Sequence, residues 1–271
     1  MNEPGSAEAL EFLGRIAFRN SVPGAEFKDH GSYATAARAL YLRKESIDKI
    51  ESVTPQEMLG EWWKEYDSAS VNLDAIASAF AMLYDYQRGN KGFHRWWWLK
   101  FFLFEYEENL VNGTTEKNPR VTLDRYSATS IEHVMPQTWQ TNWGDEMGEF
   151  LERIPDAAFH DDARKSIINS LGNLTIIGAR TNSALQNIPW AAWDGEGGKK
   201  NVYASEGTYS EGEIAKEQKW NYHSILKRGA ALLDFLAEKL SAEKFTPEQK
   251  RKALLFRPEI YNCFDAADFG E

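Results

Sequence analysis

The stretch Ser130–Trp139, SIEHVMPQTW, sets a carboxylate and an imidazole side by side, Glu132 and His133, at the end of a β-like run and three residues before a proline. Read alone, the pair is either a polar turn closing a strand or half of a catalytic centre. The preceding residues, VTLDRYSATSIEHVMP (121–136), are β-branched and alternating, which predicts a strand, and Pro136 marks where the chain leaves it. A second segment of the same kind follows at residues 171–182, LGNLTIIGARTN: a tight turn, a short apolar strand, and Asn182 where a helix can begin.

Chemistry connects these pieces. A neutral histidine can take a proton from water near neutral pH, because its unperturbed pKa lies close by. A hard divalent ion prefers oxygen ligands, and its shell is completed by water and substrate. Glu132 offers such an oxygen, and the carboxamide of Asn182 offers another. Asn173 can hold the loop that carries His133, so that the ring's other nitrogen finds a fixed partner. Neighbouring residues on a strand point to opposite faces, so Glu132 and His133 need a bend at the strand end to act on one group.

Composition narrows the setting. The chain has 271 residues, 42% hydrophobic and 13% aromatic, which predicts a folded protein with a real core. Its one cysteine, Cys263, rules out an internal disulfide and a zinc site built from several thiolates. No apolar run approaches the roughly 20 residues of a membrane span, and the N-terminus shows no secretory pattern, so a soluble, cytoplasmic protein is expected. The formal charge of −10 opposes nonspecific attraction to phosphate, so nucleic-acid binding has to rest on local basic patches, a metal, or a partner.

Around the two strand segments the pattern is helical. EALEFLGRIAF, YATAARALYLRKESIDKIES, TPQEMLGEWWKEYD and DAIASAFAMLYDY repeat apolar residues every three or four positions, with Thr54 and Pro55 as a helix start. HRWWWLKFFLFEYEENLVNG (94–113) reads as one buried helix whose aromatics are core. EMGEFLERI and HDDARKSIINSL are short helices, and WDGEGGKKNVYASEGTYSEGE (193–213) reads as a mobile loop. A long amphipathic helix or helix pair follows from Ile214, and then a mixed tail. The expected divisions are a helical region (1–112), a core bearing the two motifs (113–200), and a C-terminal helical region (201–271).

IEHVMPQ, LGNLT and TNSALQN together resemble the HNH, or ββα-metal, nuclease superfamily, and more narrowly the C-terminal nuclease domain of GmrSD-type restriction enzymes. LKFFLFEYEENL and WNYHSILKR are similar to the helices that flank that domain. The resemblance implies a mainly α fold around a small ββα-metal core. It implies a metal-dependent DNA endonuclease of an anti-phage system, with His133 as general base, Asn173 as its orienting residue, and Asn182 with Glu132 on a divalent ion, Mg²⁺ or alternatively Mn²⁺. It also implies phage or modified DNA as substrate and a nucleotide-dependent N-terminal sensor, as a domain or a partner, that no segment here resembles. The chain departs from the family pattern in carrying Glu132 where many members have aspartate. After the last asparagine it has Trp190 or Trp193, with the lysine displaced by a glycine-rich insertion to Lys199 or Lys200. Expected DNA contacts are Arg125, Arg180, Lys199 and Lys200. His30, His94, His160 and His223 read as structural or surface residues. Two alternatives stay open on sequence: a non-catalytic DNA- or protein-binding module that keeps the shape, and a nuclease acting on RNA.

Overall fold

The computed structural model describes residues 6–25, 60, 63–66, 69–84, 91–113, 126–191 and 197–270. The helix expected over residues 33–52, the Thr54–Pro55 start, His30, Arg125 and Trp193 lie outside the described residues. Within them the protein is mostly helical, with one small antiparallel sheet of two strands.

The N-terminal part supplies α1 (Ser6–Ser21), α2 (Leu73–Met82) and α3 (Leu99–Asn112). Asn72 caps α2 by accepting from the backbone N–H of Ala75 at 3.0 Å, satisfying a donor that the first turn leaves open. The aromatic run does not form one helix. A 3-10 turn (Gly92–Arg95) precedes α3, and Trp96 is extended between them. The run is also not uniformly core: Trp96 is buried and donates to the carbonyl of Ser21, whereas Trp97 is 82% exposed.

The two strands are β1 (Thr129–His133) and β2 (Leu174–Gly178), paired with Glu132 opposite Thr175 and His133 opposite Leu174. Between them the chain makes α4 (Gly144–Glu152) and α5 (His160–Ile168), then a 3-10 turn, Leu171–Asn173, that leads into β2. Leu174, Thr175, Ile176 and Ile177 are all buried, which explains why this strand reads as a continuous apolar run: both of its faces are covered. The helix α6 (Ala179–Leu185) starts directly after β2 and packs on both strands.

The loop expected over 193–213 is instead largely helical in its described part, as α7 (Lys199–Glu206) and α8 (Tyr209–Ile214). The Thr208–Glu211 capping box starts α8, and the buried carboxylate of Glu107 accepts from its first N–H groups, Tyr209 at 2.7 Å and Ser210 at 2.8 Å. That carboxylate comes from α3, 102 residues away in sequence, so local composition gave no sign of it. The remaining helices are α9 (Tyr222–Lys239), α10 (Pro247–Leu255) and α11 (Pro258–Tyr261), so the tail is an ordered helical cap. One buried cluster runs from Phe18 to Phe269 and draws on all three expected regions.

Candidate active site

The loop after β1 is shaped by Asn173. Its Oδ1 accepts from the backbone N–H of Met135 at 2.8 Å and from the Trp220 indole at 3.0 Å. Its Nδ2 donates to the carbonyls of Met135 and Ile168, both at 2.8 Å. All four hydrogen-bonding positions of a carboxamide are thereby used, and Asn173 is fully buried. The backbone N–H of Val134 adds a bond to the Asn173 carbonyl at 2.9 Å, continuing the ladder one step past His133. Asn173 itself is held from α9, where Arg228 donates to the carbonyls of Gly172 and Leu174 on either side of it, each at 2.8 Å. Burial lowers the Arg228 guanidinium to about 10, which leaves it charged at neutral pH.

His133 ends β1 half-buried. Its Nε2 lies 3.2 Å from Asn169 Oδ1 and 3.4 Å from the exposed Gln137. The ring of His94, brought by the 3-10 turn before α3, stacks on it with centroids 5.5 Å apart and planes 9° from parallel. The ring is pushed down to about 4: burial is the main cause, opposed by the Asn169 hydrogen bond and helped by the charges of His94 and Lys199. Burial also lowers His94. His133 is thus an uncharged imidazole across the neutral range.

Glu132 points away from His133, as strand alternation requires. It is buried and forms an ion pair with Lys199, whose Nζ also donates to the carbonyl oxygen of His133 at 2.9 Å. The Tyr203 hydroxyl borders the same carboxylate. Burial pushes Glu132 up and Lys199 down, and their mutual attraction opposes both shifts. Lys199 is 0% exposed, which corrects the expectation that it sits in a surface loop against DNA.

Asn182 lies on α6 and donates to Ser130 Oγ at 2.9 Å and to the carbonyl of Ile131 at 3.2 Å. Its Oδ1 accepts no hydrogen bond among the described residues. Arg180 is exposed at the start of the same helix, and Lys200 is half-buried at the start of α7. The structure therefore gathers Glu132, His133, Asn173 and Asn182 around the end of β1. It places the Glu132 carboxylate with Lys199, and the ring's partner is Asn169, with Asn173 acting on the loop backbone.

Asn169 and His94 were missed by sequence reasoning. Asn169 is the C-cap residue that follows α5, a position where asparagine has an ordinary helix-ending explanation. Its carbonyl also accepts from Phe93 N–H at 3.2 Å and the Tyr84 hydroxyl at 3.3 Å, which is how the N-terminal region delivers His94 to the site. Trp143 and Trp190, which flank the motif, are buried, with their indoles donating to the carbonyls of Ile188 and Gln218.

No curated protein and no solved structure matches the chain. A family model does: the one described as GmrSD restriction endonucleases, C-terminal domain, matches residues 74–235, from α2 through most of α9 and including every strand and loop of the site. That is more than half of the 271 residues, and the chain belongs to this family.

Proposed function

We propose that the protein is a metal-dependent DNA endonuclease of an anti-phage restriction system, in which His133 is the general base. Membership in the restriction endonuclease family supports nuclease activity in general. The single observation that carries the finer reading is the antiparallel pair β1–β2 running directly into α6, with His133 at the end of β1 and Asn182 on α6 bonded to Ser130 and Ile131 of that strand. The order strand, strand, helix supports reading the site as an HNH centre. An uncharged, half-buried imidazole suits a base that takes a proton from the attacking water.

Of the two expected ligands, Asn182 suits a hard divalent ion such as Mg²⁺ or Mn²⁺ as it stands, and Glu132 suits it only after leaving its ion pair with Lys199. Asn182 offers a carboxamide oxygen that is not otherwise engaged among the described residues, and Mg²⁺ is commonly held by one or two protein oxygens with water and phosphate completing its shell. Glu132 is the second ligand in this proposal and would exchange its contact with Lys199 for the ion. When bound, the ion supplies charge neutralisation on the phosphodiester and its leaving oxygen. The chain's own contribution is to hold the base: Asn173 fixes the loop at Met135, and Lys199 fixes the His133 carbonyl. Arg180, exposed two residues before Asn182, is the proposed phosphate contact nearest the site. DNA sensing is assigned to an N-terminal nucleotide-dependent domain or partner, consistent with the family's description as a C-terminal domain.

The test is plasmid nicking by the wild type and His133→Ala with Mg²⁺ and with Mn²⁺, on modified and unmodified DNA. Loss of cleavage in the variant, with its fold retained, is expected. Equal rates in the two proteins would remove His133 from the mechanism.

A further inference from the structure

Asn169 settles which nitrogen of His133 is free to act. Its Nδ2 donates to the Lys165 carbonyl at 2.9 Å, one turn back in α5, which fixes the orientation of the amide. Oδ1 is therefore the atom that faces His133 Nε2 at 3.2 Å. A carboxamide oxygen only accepts, so the nitrogen opposite it must carry hydrogen. A neutral imidazole has one such hydrogen, and its lone pair is then left on the other nitrogen.

The neighbouring groups bear on that assignment unequally. The Gln137 amide nitrogen faces the same Nε2 at the longer distance of 3.4 Å, but Gln137 is exposed and has no other partner among the described residues, so its amide can turn to present oxygen, whereas that of Asn169 is fixed by Lys165. His133 Nδ1 makes no hydrogen bond among the described residues. The charged and titratable groups that act on the ring are His94, stacked on one face, and Lys199, which contacts its backbone carbonyl. Asn169 is 8% exposed and anchored through its own carbonyl by Phe93 and Tyr84, so the carboxamide is held independently of His133.

We propose that Asn169 is the positioning residue that holds His133 as the Nε2–H tautomer, and that Nδ1 is the nitrogen presented to the substrate water. The inference rests on the reading of His133 as the base. It adds to that reading a residue outside the expected set and a direction for the proton: water gives its proton to Nδ1, the resulting hydroxide oxygen bonds to phosphorus as the bond from phosphorus to the departing oxygen breaks, that oxygen takes a proton from solvent, and Nε2–H keeps its hydrogen bond to Asn169 Oδ1.

The experiment is long-range ¹H–¹⁵N correlation on ¹⁵N-labelled protein at mildly alkaline pH, which reports the tautomer directly. The wild type is expected to show hydrogen on Nε2 of His133. Asn169→Leu, which removes the acceptor, is expected to shift the ring toward a mixture of tautomers and to slow plasmid nicking by roughly tenfold or more. Asn169→Asp keeps an acceptor oxygen and is expected to keep the Nε2–H form. A wild-type ring carrying hydrogen on Nδ1, or an unchanged tautomer in a folded Asn169→Leu protein, would overturn the proposal. If Asn169→Leu does not fold, the wild-type spectrum still decides. Absence of cleavage by the wild type would count against the nuclease reading, while the tautomer judges this inference separately.

Discussion

Lys199 and Glu132 form an ion pair sealed behind β1, with the lysine fully buried and its ammonium also bound to the carbonyl oxygen of the histidine next to its partner. Removing one member of a buried pair leaves a charge in a poor dielectric, at a cost of roughly 3–5 kcal/mol. Lys199→Met is therefore expected to destabilise strongly in urea titration, and Lys199→Met combined with Glu132→Leu to recover much of the loss. A near-additive double variant would show that the pair contributes no coupling. The same series tests the metal assignment, because Glu132→Gln is expected to weaken Mn²⁺ binding in calorimetry if the carboxylate exchanges onto the ion. Unchanged Mn²⁺ affinity would leave Glu132 as a clamp alone.

The four hydrogen bonds of Asn173 make a second prediction. Asn173→Ala leaves the Met135 N–H and the Trp220 indole without their buried acceptor, and should cost roughly 3 kcal/mol or more. Trp220→Phe removes one bond and some volume, at about 2 kcal/mol. Amide hydrogen exchange separates the two: the Met135 N–H should lose protection in Asn173→Ala and keep it in Trp220→Phe. Equal protection in both variants would show that the loop is held by something other than this amide.

Gly172 gives a third. A Cβ there would lie 1.8 Å from the Ile225 carbonyl oxygen and 2.6 Å from the Gly229 backbone nitrogen, so α9 and the turn before β2 touch through bare backbone. Gly172→Ala must push them apart and disturb the Arg228 bonds on either side of Asn173, with an expected loss of about 3 kcal/mol or more. Gly144→Ala is the control, since nothing lies within 4 Å of its Cβ position, and it should be near neutral. Thermal melts that place the two variants together would refute the close approach.

What the sequence disclosed divides along the range of the forces involved. The β1 and β2 segments and several helices were legible because strand alternation and helical spacing act within a few positions, as in DAIASAFAMLYDY and LGNLT. The meeting of Glu132, His133, Asn173 and Asn182 around one strand end was legible through the family resemblance, since α4 and α5 separate the two strands in sequence and no local pattern joins them. The burial of Lys199 was not legible: a lysine after three glycines reads as surface, and its ion pair with Glu132, 67 residues away in sequence, and its bond to the His133 carbonyl satisfy it inside. The helix α8 was hidden for the same reason, its first N–H groups being bound by Glu107 from α3. Asn169 carried no distinguishing signal, since its role depends on where α5 ends relative to β1.

The behaviour with pH follows from two buried groups with opposite slopes. His133 sits at about 4 in the fold against an ordinary 6.5, so between those values the unfolded chain binds more protons and stability falls as pH is lowered through the window. Glu211 is raised to about 7 from the ordinary 4.5, chiefly by burial, with the Thr208 bonds opposing and the charges of Glu107 and Glu132 adding. There the folded chain binds more protons, so stability falls as pH rises from about 4.5 to about 7, by on the order of 3 kcal/mol. Glu211→Gln keeps an oxygen to accept from the Thr208 N–H and cannot ionise. Its melting temperature should exceed that of the wild type at pH values above about 7, with the advantage shrinking toward pH values near 4.5. A constant difference between the two proteins across that range would mean that Glu211 keeps an ordinary carboxylate pKa in the fold, and the acid limb would then be set by His133 without an opposing group.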